Sequence, residues 1–372
     1  MNSYDFLSLA APGVQRLQPY QPGKPLEALE REYGIREAVK LASNENPLGP
    51  SPRAKAVVAA QLDELARYPD GNGFVLKQAL AARHGVDGSR ITLGNGSNDV
   101  LELLARAFVT PENEVVFSEH AFAVYPIVTC AVGARAVVTP ARDHGHDLAA
   151  MAAAISERTR LIFIANPNNP TGTWLTVEAL ERFLETVPAH VLVVLDEAYF
   201  EYARDPAIGI EDYPDGSQWL DRFPNLVVTR TFSKAHGLAG LRVGYALSHP
   251  EVADLLNRVR QPFNVNSLAL AAATAALDDA EHLQKTLALN VAGLAQLRAG
   301  FERLELESLP TAGNFVCVKV GRGSEVYETL LREGVIVRPV DNYGLPEYLR
   351  VTVGTAEENA RFLAALEKVL SR

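Results

Sequence analysis

Short apolar runs, most of them rich in β-branched residues, recur along the middle of the chain and are separated by stretches with helical spacing. These runs are Val115–Phe117, Ala136–Thr139, Leu161–Ala165, Val191–Leu195, Leu226–Thr229 and Val243–Leu247. Strands of a parallel sheet are covered on both faces, so they form continuous apolar runs, and helices connect one strand to the next. The pattern therefore predicts βαβ units and a mostly parallel sheet that lies between helices.

The pattern changes after about residue 280. Glu281–Leu304 carries apolar residues at intervals of three or four, which is typical of one long amphipathic helix. Beyond it, strand patterns occupy 314–320, 335–338 and 349–353, and helical patterns lie near 325–332 and 356–370. Residues 1–25 hold four prolines and are predicted to be irregular. We predict three segments, namely 1–45 as an N-terminal arm and part of a small domain, 46–280 as a large α/β domain, and 281–372 as an interdomain helix and a small α+β domain.

Composition and charge exclude several classes of partner. The chain has 372 residues, of which 48% are hydrophobic and 22% charged, a balance typical of a globular protein of about two domains. Its net charge of −10 disfavours nucleic acid and anionic membranes as partners. Cys130 and Cys317 both lie in apolar surroundings, which fits a reducing compartment, and the N-terminus lacks a signal-peptide pattern. We expect a cytoplasmic protein without a metal site.

Polar clusters directly follow three of the predicted strands. Asn166–Gly172 follows the run that ends at Ala165, Asp196–Tyr199 follows the next run, and Arg230–Lys234 follows the one after that. Open parallel sheets bind their ligands at the carboxyl ends of the strands. The three clusters are therefore expected to meet at one edge of one sheet and to form a site there.

Each cluster contains a group that pyridoxal 5′-phosphate (PLP) requires. PLP needs an amine to form an imine, and Lys234 supplies one. It also needs an anion that keeps its ring nitrogen protonated, so that the ring withdraws electrons, and Asp196 can be that anion. Asn169 and Tyr199 are available as donors to the phenolic oxygen of the ring. The PLP phosphate needs N–H groups, hydroxyls and a guanidinium, and the candidates are Gly96, Ser97 and Asn98 at a predicted helix start, Thr231, Ser233 and Arg242.

These clusters carry a resemblance to a known family. Ser233–Tyr245 resembles the lysine signature of the fold-type I PLP-dependent aminotransferases, and Asn168–Gly172 and Asp196–Tyr199 resemble further motifs of that family in order and spacing. The resemblance spans Tyr20–Thr355. It implies a large PLP-binding domain with a mostly parallel sheet between helices, a smaller α+β domain, PLP as cofactor and transamination as the reaction, with Lys234, Asp196 and Tyr199 as the catalytic residues.

Within this family the chain most resembles the histidinol-phosphate aminotransferases. The motifs that carry this narrower resemblance are Pro19–Pro25, Leu41–Gly49, Arg67–Asp70, Gly94–Ser97 and Leu349–Thr355. They imply L-histidinol phosphate and 2-oxoglutarate as small-molecule substrates, and imidazole acetol phosphate and glutamate as products, in histidine biosynthesis.

The resemblance also implies roles for residues outside the PLP motifs. Phe122 is expected to stack on the cofactor ring, and Tyr68 to reach the PLP phosphate of a neighbouring subunit, which implies a homodimer. The residues expected to contact substrate are Tyr20, Asn44, Arg338 and Arg350. Two positions depart from the family pattern: Phe122 stands where many relatives have tyrosine, and Asn98–Asp99 replaces the usual Asp-Glu pair.

Alternative interpretations remain at this point. An aromatic amino-acid aminotransferase or a threonine-phosphate decarboxylase could use the same scaffold. A non-catalytic ligand-binding domain is disfavoured because Lys234, Asp196 and Arg242 are all present. The acidic strand end would also suit a P-loop NTPase, but the phosphate-binding loop of that class is absent from the sequence. His144–Asp147 is interpreted as a polar loop without metal, and His236 as a structural residue.

Overall fold

The structure, a computed structural model, describes residues 4–371. The β-strands of these residues are β1 (Val39–Lys40), β2 (Ile91–Gly94), β3 (Glu114–Ser118), β4 (Arg135–Thr139), β5 (Ala141–Arg142), β6 (Gly145–His146), β7 (Thr159–Ala165), β8 (Leu192–Asp196), β9 (Leu226–Thr231), β10 (Gly244–Leu247), β11 (Phe315–Lys319), β12 (Val335–Ile336), β13 (Arg338–Pro339) and β14 (Tyr348–Thr352). The α-helices are α1 (Phe6–Leu9), α2 (Pro12–Gln15), α3 (Leu26–Tyr33), α4 (Pro52–Ala60), α5 (Phe74–His84), α6 (Ser97–Phe108), α7 (Val124–Ala131), α8 (Leu148–Ala153), α9 (Val177–Thr186), α10 (Phe200–Ala203), α11 (Pro250–Val259), α12 (Ser267–Leu277), α13 (Ala280–Arg303), α14 (Gly323–Arg332) and α15 (Ala356–Leu370).

Seven strands form a central sheet in the order β2-β10-β9-β8-β7-β3-β4. The five strands from β9 to β4 run parallel to one another, and β10 runs antiparallel to both of its neighbours. Helices cover both faces, and each face has its own large cluster of buried apolar side chains. The predicted α/β class, with a mostly parallel sheet between helices, is confirmed.

The link between β9 and β10 differs from the other connections in this sheet. Residues 232–243 contain one short 3₁₀ turn, Ala239–Leu241, instead of an α-helix. Parallel strands are usually connected by a helix that crosses one face of the sheet. Residues 232–243 hold no such helix, and the chain returns antiparallel to β9. The loop that carries Lys234 therefore stays at the carboxyl end of β9, at the edge where the predicted site lies.

A second layer combines the C-terminal part of the chain with an N-terminal segment. Strands β11, β14 and β13 form an antiparallel sheet, and β1 pairs in parallel with β12 through Val39 and Val335. The long helix α13, α14 and α15 pack against these strands around a third apolar cluster. The predicted strand at 335–338 is divided into β12 and β13, and the predicted division of the chain at residues 45 and 280 stays a prediction.

Two polar segments differ in detail from the sequence-based expectation. Residues 4–25 include the short helices α1 and α2 beside irregular chain. The predicted polar loop at His144–Asp147 forms part of the β5–β6 hairpin, where the buried His146 ring bonds to the carbonyl oxygen of Ala165. Within residues 4–371, no helix combines the length and the apolar character needed to cross a bilayer.

Candidate active site

A cavity of about 290 Å³ opens at the carboxyl ends of β7, β8 and β9. Its lining contains every predicted site residue except Gly96 and Tyr68, namely Tyr20, Asn44, Ser97, Asn98, Phe122, Asn169, Asp196, Tyr199, Thr231, Ser233, Lys234, Arg242, Arg338 and Arg350. The fold thus brings together side chains that lie more than 300 positions apart in the sequence, and Lys234, three arginines and Asp196 all line the same cavity.

Asp196 is the buried anion of this cavity. One of its oxygens accepts a hydrogen bond from the Tyr125 hydroxyl at 2.9 Å, and the other accepts one from Thr229 at 2.9 Å. Burial raises the pKa of Asp196, and the two hydrogen bonds together with the nearby charge of Lys234 oppose that rise. Each carboxylate oxygen has a second lone pair, so the group can still accept a proton donor from the cavity.

Tyr125 and Thr229 were missed by the sequence analysis, although each had a signal. Thr229 pairs with Asp196 across the β8–β9 register, two residues before the predicted Thr231. Tyr125 lies one helical turn after Phe122 and stacks on Phe163 with ring centroids 4.6 Å apart. Register and helical spacing could have suggested both, but neither belongs to the motifs that carry the resemblance.

Lys234 is a buried amine at this site. Its Nζ donates a hydrogen bond to the backbone carbonyl of Ser43 at 3.1 Å. Burial, followed by the positive charge of Arg350, lowers the pKa of Lys234 to about 7, whereas Glu45 acts in the opposite direction. A large part of the amine is therefore neutral near pH 7, the form that can act as a nucleophile or base.

Arg350 and Asn169 both line the cavity and are hydrogen-bonded to each other. Arg350 donates from Nη1 to Asn169 Oδ1 at 2.5 Å and from Nη2 to the carbonyl oxygen of Ala42 at 2.6 Å. Its Nε–H has no hydrogen-bond partner within residues 4–371. Because the Asn169 oxygen is occupied by arginine, its Nδ2 group is the part of the amide that remains to donate to a ligand.

Arg338 is a buried cation that pairs with no anion among residues 4–371. Only 7% of the residue is exposed. In the described part of the chain its guanidinium makes no hydrogen bond or ion pair, and it lies 5.7 Å from the ring centroid of Tyr20. A buried charge left unpaired is strongly unfavourable, so this arrangement is typical of a site that receives an anionic ligand.

The opposite end of the cavity forms a cradle around the start of α6. Gly96 has φ +80°, and a Cβ there would come within 2.4 Å of Arg242 Nη2. Only glycine therefore lets Arg242 lie against this turn. Arg242 also donates to the Ser233 hydroxyl at 3.2 Å, and Ser97 begins the helix, whose first N–H groups form its positive end. A guanidinium, hydroxyls and a helix start within one cradle fit a phosphate group.

Tyr68 lies outside the cavity of its own chain. It is 82% exposed and stacks on Phe263 with ring centroids 4.7 Å apart. Phe74 and Val75 are likewise more than half exposed.

His236 does not line the cavity either. Its ring lies 3.6 Å from Glu201, which agrees with a structural role.

A buried ion network lies behind the edge of the sheet. Arg230 donates through Nε and Nη2 to Glu197, and through Nη2 to Asp215 at 2.6 Å, with its guanidinium over the ring of Phe200. Glu197 follows Asp196 directly, and Arg230 precedes Thr231, so the network connects the ends of β8 and β9. No role for this network was predicted from the sequence.

Comparisons with known proteins define the class to which this site belongs. A model of the aminotransferase class I and II family matches residues 36–366. The chain belongs to this family of aminotransferases. It is 63% identical, over 100% of both chains, to a protein of Pseudomonas fluorescens named histidinol-phosphate aminotransferase 2. It is 59% identical, over 98% of both chains, to histidinol-phosphate aminotransferase 1 of Nitrosococcus oceani.

A solved structure agrees with the same family. The crystal structure of histidinol-phosphate aminotransferase from Sinorhizobium meliloti in complex with pyridoxal 5′-phosphate matches with a TM-score of 0.90 and 30% identity, covering 100% of this chain and 99% of that one. The aminotransferase family predicted from the motifs is thus confirmed.

Proposed function

We propose that this protein transfers the amino group of L-histidinol phosphate to 2-oxoglutarate with PLP as its cofactor, giving imidazole acetol phosphate and glutamate. The observation that carries the proposal is the unpaired guanidinium of Arg338 in the same cavity as Lys234 and Asp196. An amino donor with a phosphate group would supply the missing anion. The names of the close relatives support the same substrate and a place in histidine biosynthesis.

The residues that line the cavity fit the ring, the ring oxygen and the phosphate of PLP. When bound, PLP supplies an aldehyde that takes the amino group and a ring that withdraws electrons from it. Asp196 would hold the ring nitrogen, Phe122 would cover the ring face, and Asn169 Nδ2 and the Tyr199 hydroxyl would donate to the ring oxygen. The phosphate would be held by Gly96, Ser97, Asn98, Thr231, Ser233 and Arg242, which form or adjoin the cradle at α6.

Lys234 is the base in this proposal. Its Nζ would take the proton from the carbon that carries the amino group of the donor and would hold that proton for its return. A general base works best with a pKa close to the pH at which it operates, and burial places the pKa of Lys234 at about 7. The ion pair of Arg230 with Glu197 holds the strand ends from which Asp196 and Thr231 enter the cavity.

Arg338 and Arg350 line the cavity and would have different roles in binding two unlike substrates. Histidinol phosphate has no carboxylate, whereas glutamate has two, and one site must accept both. A guanidinium fork can bind a phosphate or a carboxylate through two parallel hydrogen bonds. Arg350 would serve both substrates, with Asn44 beside it, and Arg338 with Tyr20 would serve mainly the phosphate.

Substituting the two arginines tests this division. Arg350→Ala is expected to lower kcat/KM for both half-reactions by about two to three orders of magnitude, because a lost charge-assisted contact costs about 2–5 kcal/mol. Arg338→Ala is expected to impair histidinol phosphate more than glutamate. Single-turnover absorbance changes with each substrate separately give both values, and Arg36→Ala, at an exposed position, is the control.

The outcomes separate the proposals. An Arg350→Ala variant that is impaired with only one substrate contradicts the shared site and leaves the PLP enzyme intact. Phenylalanine and threonine phosphate belong in the same assay. A higher kcat/KM for phenylalanine would identify an aromatic aminotransferase, and release of CO₂ from threonine phosphate would identify a decarboxylase.

The pKa of Lys234 predicts how the apoprotein takes up PLP. Only the neutral amine attacks the aldehyde, so the uptake rate should rise with pH through about 7 and become constant above it. An ordinary lysine, with a pKa of 10.5, would give a rate that still rises above pH 9. Stopped-flow absorbance measures the rate. Arg350→Ala removes a neighbouring positive charge, so its midpoint should lie at higher pH, and an unchanged midpoint would contradict this cause.

We also propose that the active form is a cytoplasmic homodimer in which Tyr68 reaches the phosphate cradle of the second copy. Tyr68 is exposed, stacks on Phe263 and does not line its own cavity, while Phe74 and Val75 leave further apolar surface uncovered. The chain division at residues 45 and 280 is proposed with it, since the cavity lies between the central sheet and the second layer.

A further inference from the structure

Asn44 connects three separate parts of the fold at the wall of the cavity. The residue is 1% exposed and has a left-handed backbone with φ 54°, which asparagine tolerates better than most residues. Its backbone N–H donates to Thr352 Oγ1 at 2.9 Å, and its backbone carbonyl accepts from Asn314 Nδ2 at 3.0 Å. Its side-chain oxygen accepts from the Thr352 hydroxyl at 3.1 Å, and its Nδ2 donates to the Tyr199 hydroxyl at 2.8 Å.

The direction of these hydrogen bonds follows from the donors that each group possesses. The Asn44 N–H can only donate, so the Thr352 oxygen accepts there and the single hydroxyl proton of Thr352 is left for the Asn44 side chain. That proton requires an acceptor, which places the amide oxygen of Asn44 toward Thr352. The amide nitrogen therefore faces Tyr199, and the Tyr199 oxygen must accept its hydrogen bond.

The proton of Tyr199 is consequently left free for a different partner. Burial raises the pKa of Tyr199 to about 12, so the phenol keeps its proton throughout the neutral range. Tyr199 lines the cavity, as does Asp196 three residues earlier, at the end of β8. With its oxygen occupied by Asn44, the hydroxyl has one proton and can direct it to an acceptor inside the cavity.

We propose that Thr352 is a positioning residue which, through Asn44, makes Tyr199 a hydrogen-bond donor to the ring oxygen of the cofactor. This inference rests on the PLP site proposed above and adds a residue that touches neither cofactor nor substrate. Thr352 lies two positions after Arg350 on β14, so both side chains are on the same face of the strand. The strand that holds the substrate's anion would thus also orient the donor to the cofactor.

The Thr352 hydroxyl favours one orientation of the Asn44 amide. Without this hydroxyl, the two orientations become similar in free energy. The amide can then turn its oxygen to Tyr199, which would donate to Asn44 instead of the cofactor. The ring oxygen is anionic in the bound cofactor, and a donor to an anion lowers the pH at which the bound chromophore titrates. Loss of the donor should therefore raise that pH, as direct removal of the hydroxyl in Tyr199→Phe should.

The experiment is a pH titration of the absorbance of the PLP-loaded protein, which does not depend on turnover. Thr352→Val keeps the shape and removes the hydroxyl, and is expected to raise the titration midpoint by about one pH unit, in the same direction as Tyr199→Phe. Thr352→Ser keeps the hydroxyl and should titrate as the wild type does. The double variant Thr352→Val/Tyr199→Phe should titrate as Tyr199→Phe alone, because both changes remove one donor.

One control variant and one alternative variant accompany this titration. Thr92→Val removes another buried hydroxyl, one that has no hydrogen-bond partner in the described part of the chain, and should leave the midpoint unchanged. If Thr352→Val does not fold, Asn44→Asp presents a carboxylate oxygen to Tyr199 and should raise the midpoint in the same way. A wild-type midpoint in Thr352→Val, or a shift that adds to that of Tyr199→Phe, overturns the proposal. Wild-type protein that forms no PLP chromophore would instead overturn the proposed function.

Discussion

Replacing Lys234 with alanine should lower the rate of transamination by at least about four orders of magnitude. The change removes the amine that binds the cofactor covalently and also the base that moves the α-proton, and a base alone contributes about 10²–10⁴ in rate. PLP should still bind through the phosphate cradle, so the variant tests chemistry more than cofactor retention. Single-turnover absorbance with histidinol phosphate measures the loss.

The attachment point can be determined independently. Borohydride reduction of the yellow wild-type protein, followed by peptide mapping, should place the pyridoxyl group on Lys234. Lys285→Ala, which removes an exposed lysine paired with Glu281, is the control for general effects of losing an amine. A label on another lysine, or a Lys234→Ala variant within about tenfold of wild type, would be incompatible with the proposed role.

Substitution of Asp196 is expected to have the second largest effect. Asp196→Ala should reduce kcat by several orders of magnitude and change substrate binding much less, because the protonated ring matters most when negative charge develops in the transition state. Asp196→Asn is the matched variant: it keeps the volume, removes the charge and leaves one of the two oxygens that accept hydrogen bonds from Tyr125 and Thr229. If charge is the reason, both variants should be similarly slow, and turnover within about tenfold of wild type in either one would refute it.

Much of the fold could be predicted from the sequence because parallel strands are buried on both faces. The parallel strands β3, β4, β7, β8 and β9 are short apolar runs, and the sequence predicted all five. Ile91–Gly94 was missed because a four-residue strand next to a glycine turn gives too little pattern. The antiparallel direction of β10 was also missed, since an apolar run has the same composition in either direction and only the short link before it carried a signal.

Some residues of the candidate site could be predicted from the sequence and others could not, as for the strands. Residues that touch a ligand lie in compact motifs, so their types and spacing identified the cavity wall. Tyr125, Thr229 and Thr352 act through other side chains, and their contacts depend on register and on the direction of hydrogen bonds. A hydroxyl in a strand has the same sequence signature whether it orients a neighbouring side chain or, like that of Thr92, has no hydrogen-bond partner among residues 4–371.

The pairing of β1 with β12 has a consequence for the order of events during synthesis. Val39 cannot pair with Val335 until Val335 has left the ribosome, whereas the strands of the central sheet lie between these two residues in the sequence and can pair earlier. The walls of the cavity come from both ends of the chain, at Tyr20 and Asn44 and at Arg338 and Arg350. A nascent chain can therefore complete its central sheet while its cofactor pocket stays open, and the enzyme becomes competent only when nearly the whole chain has been translated.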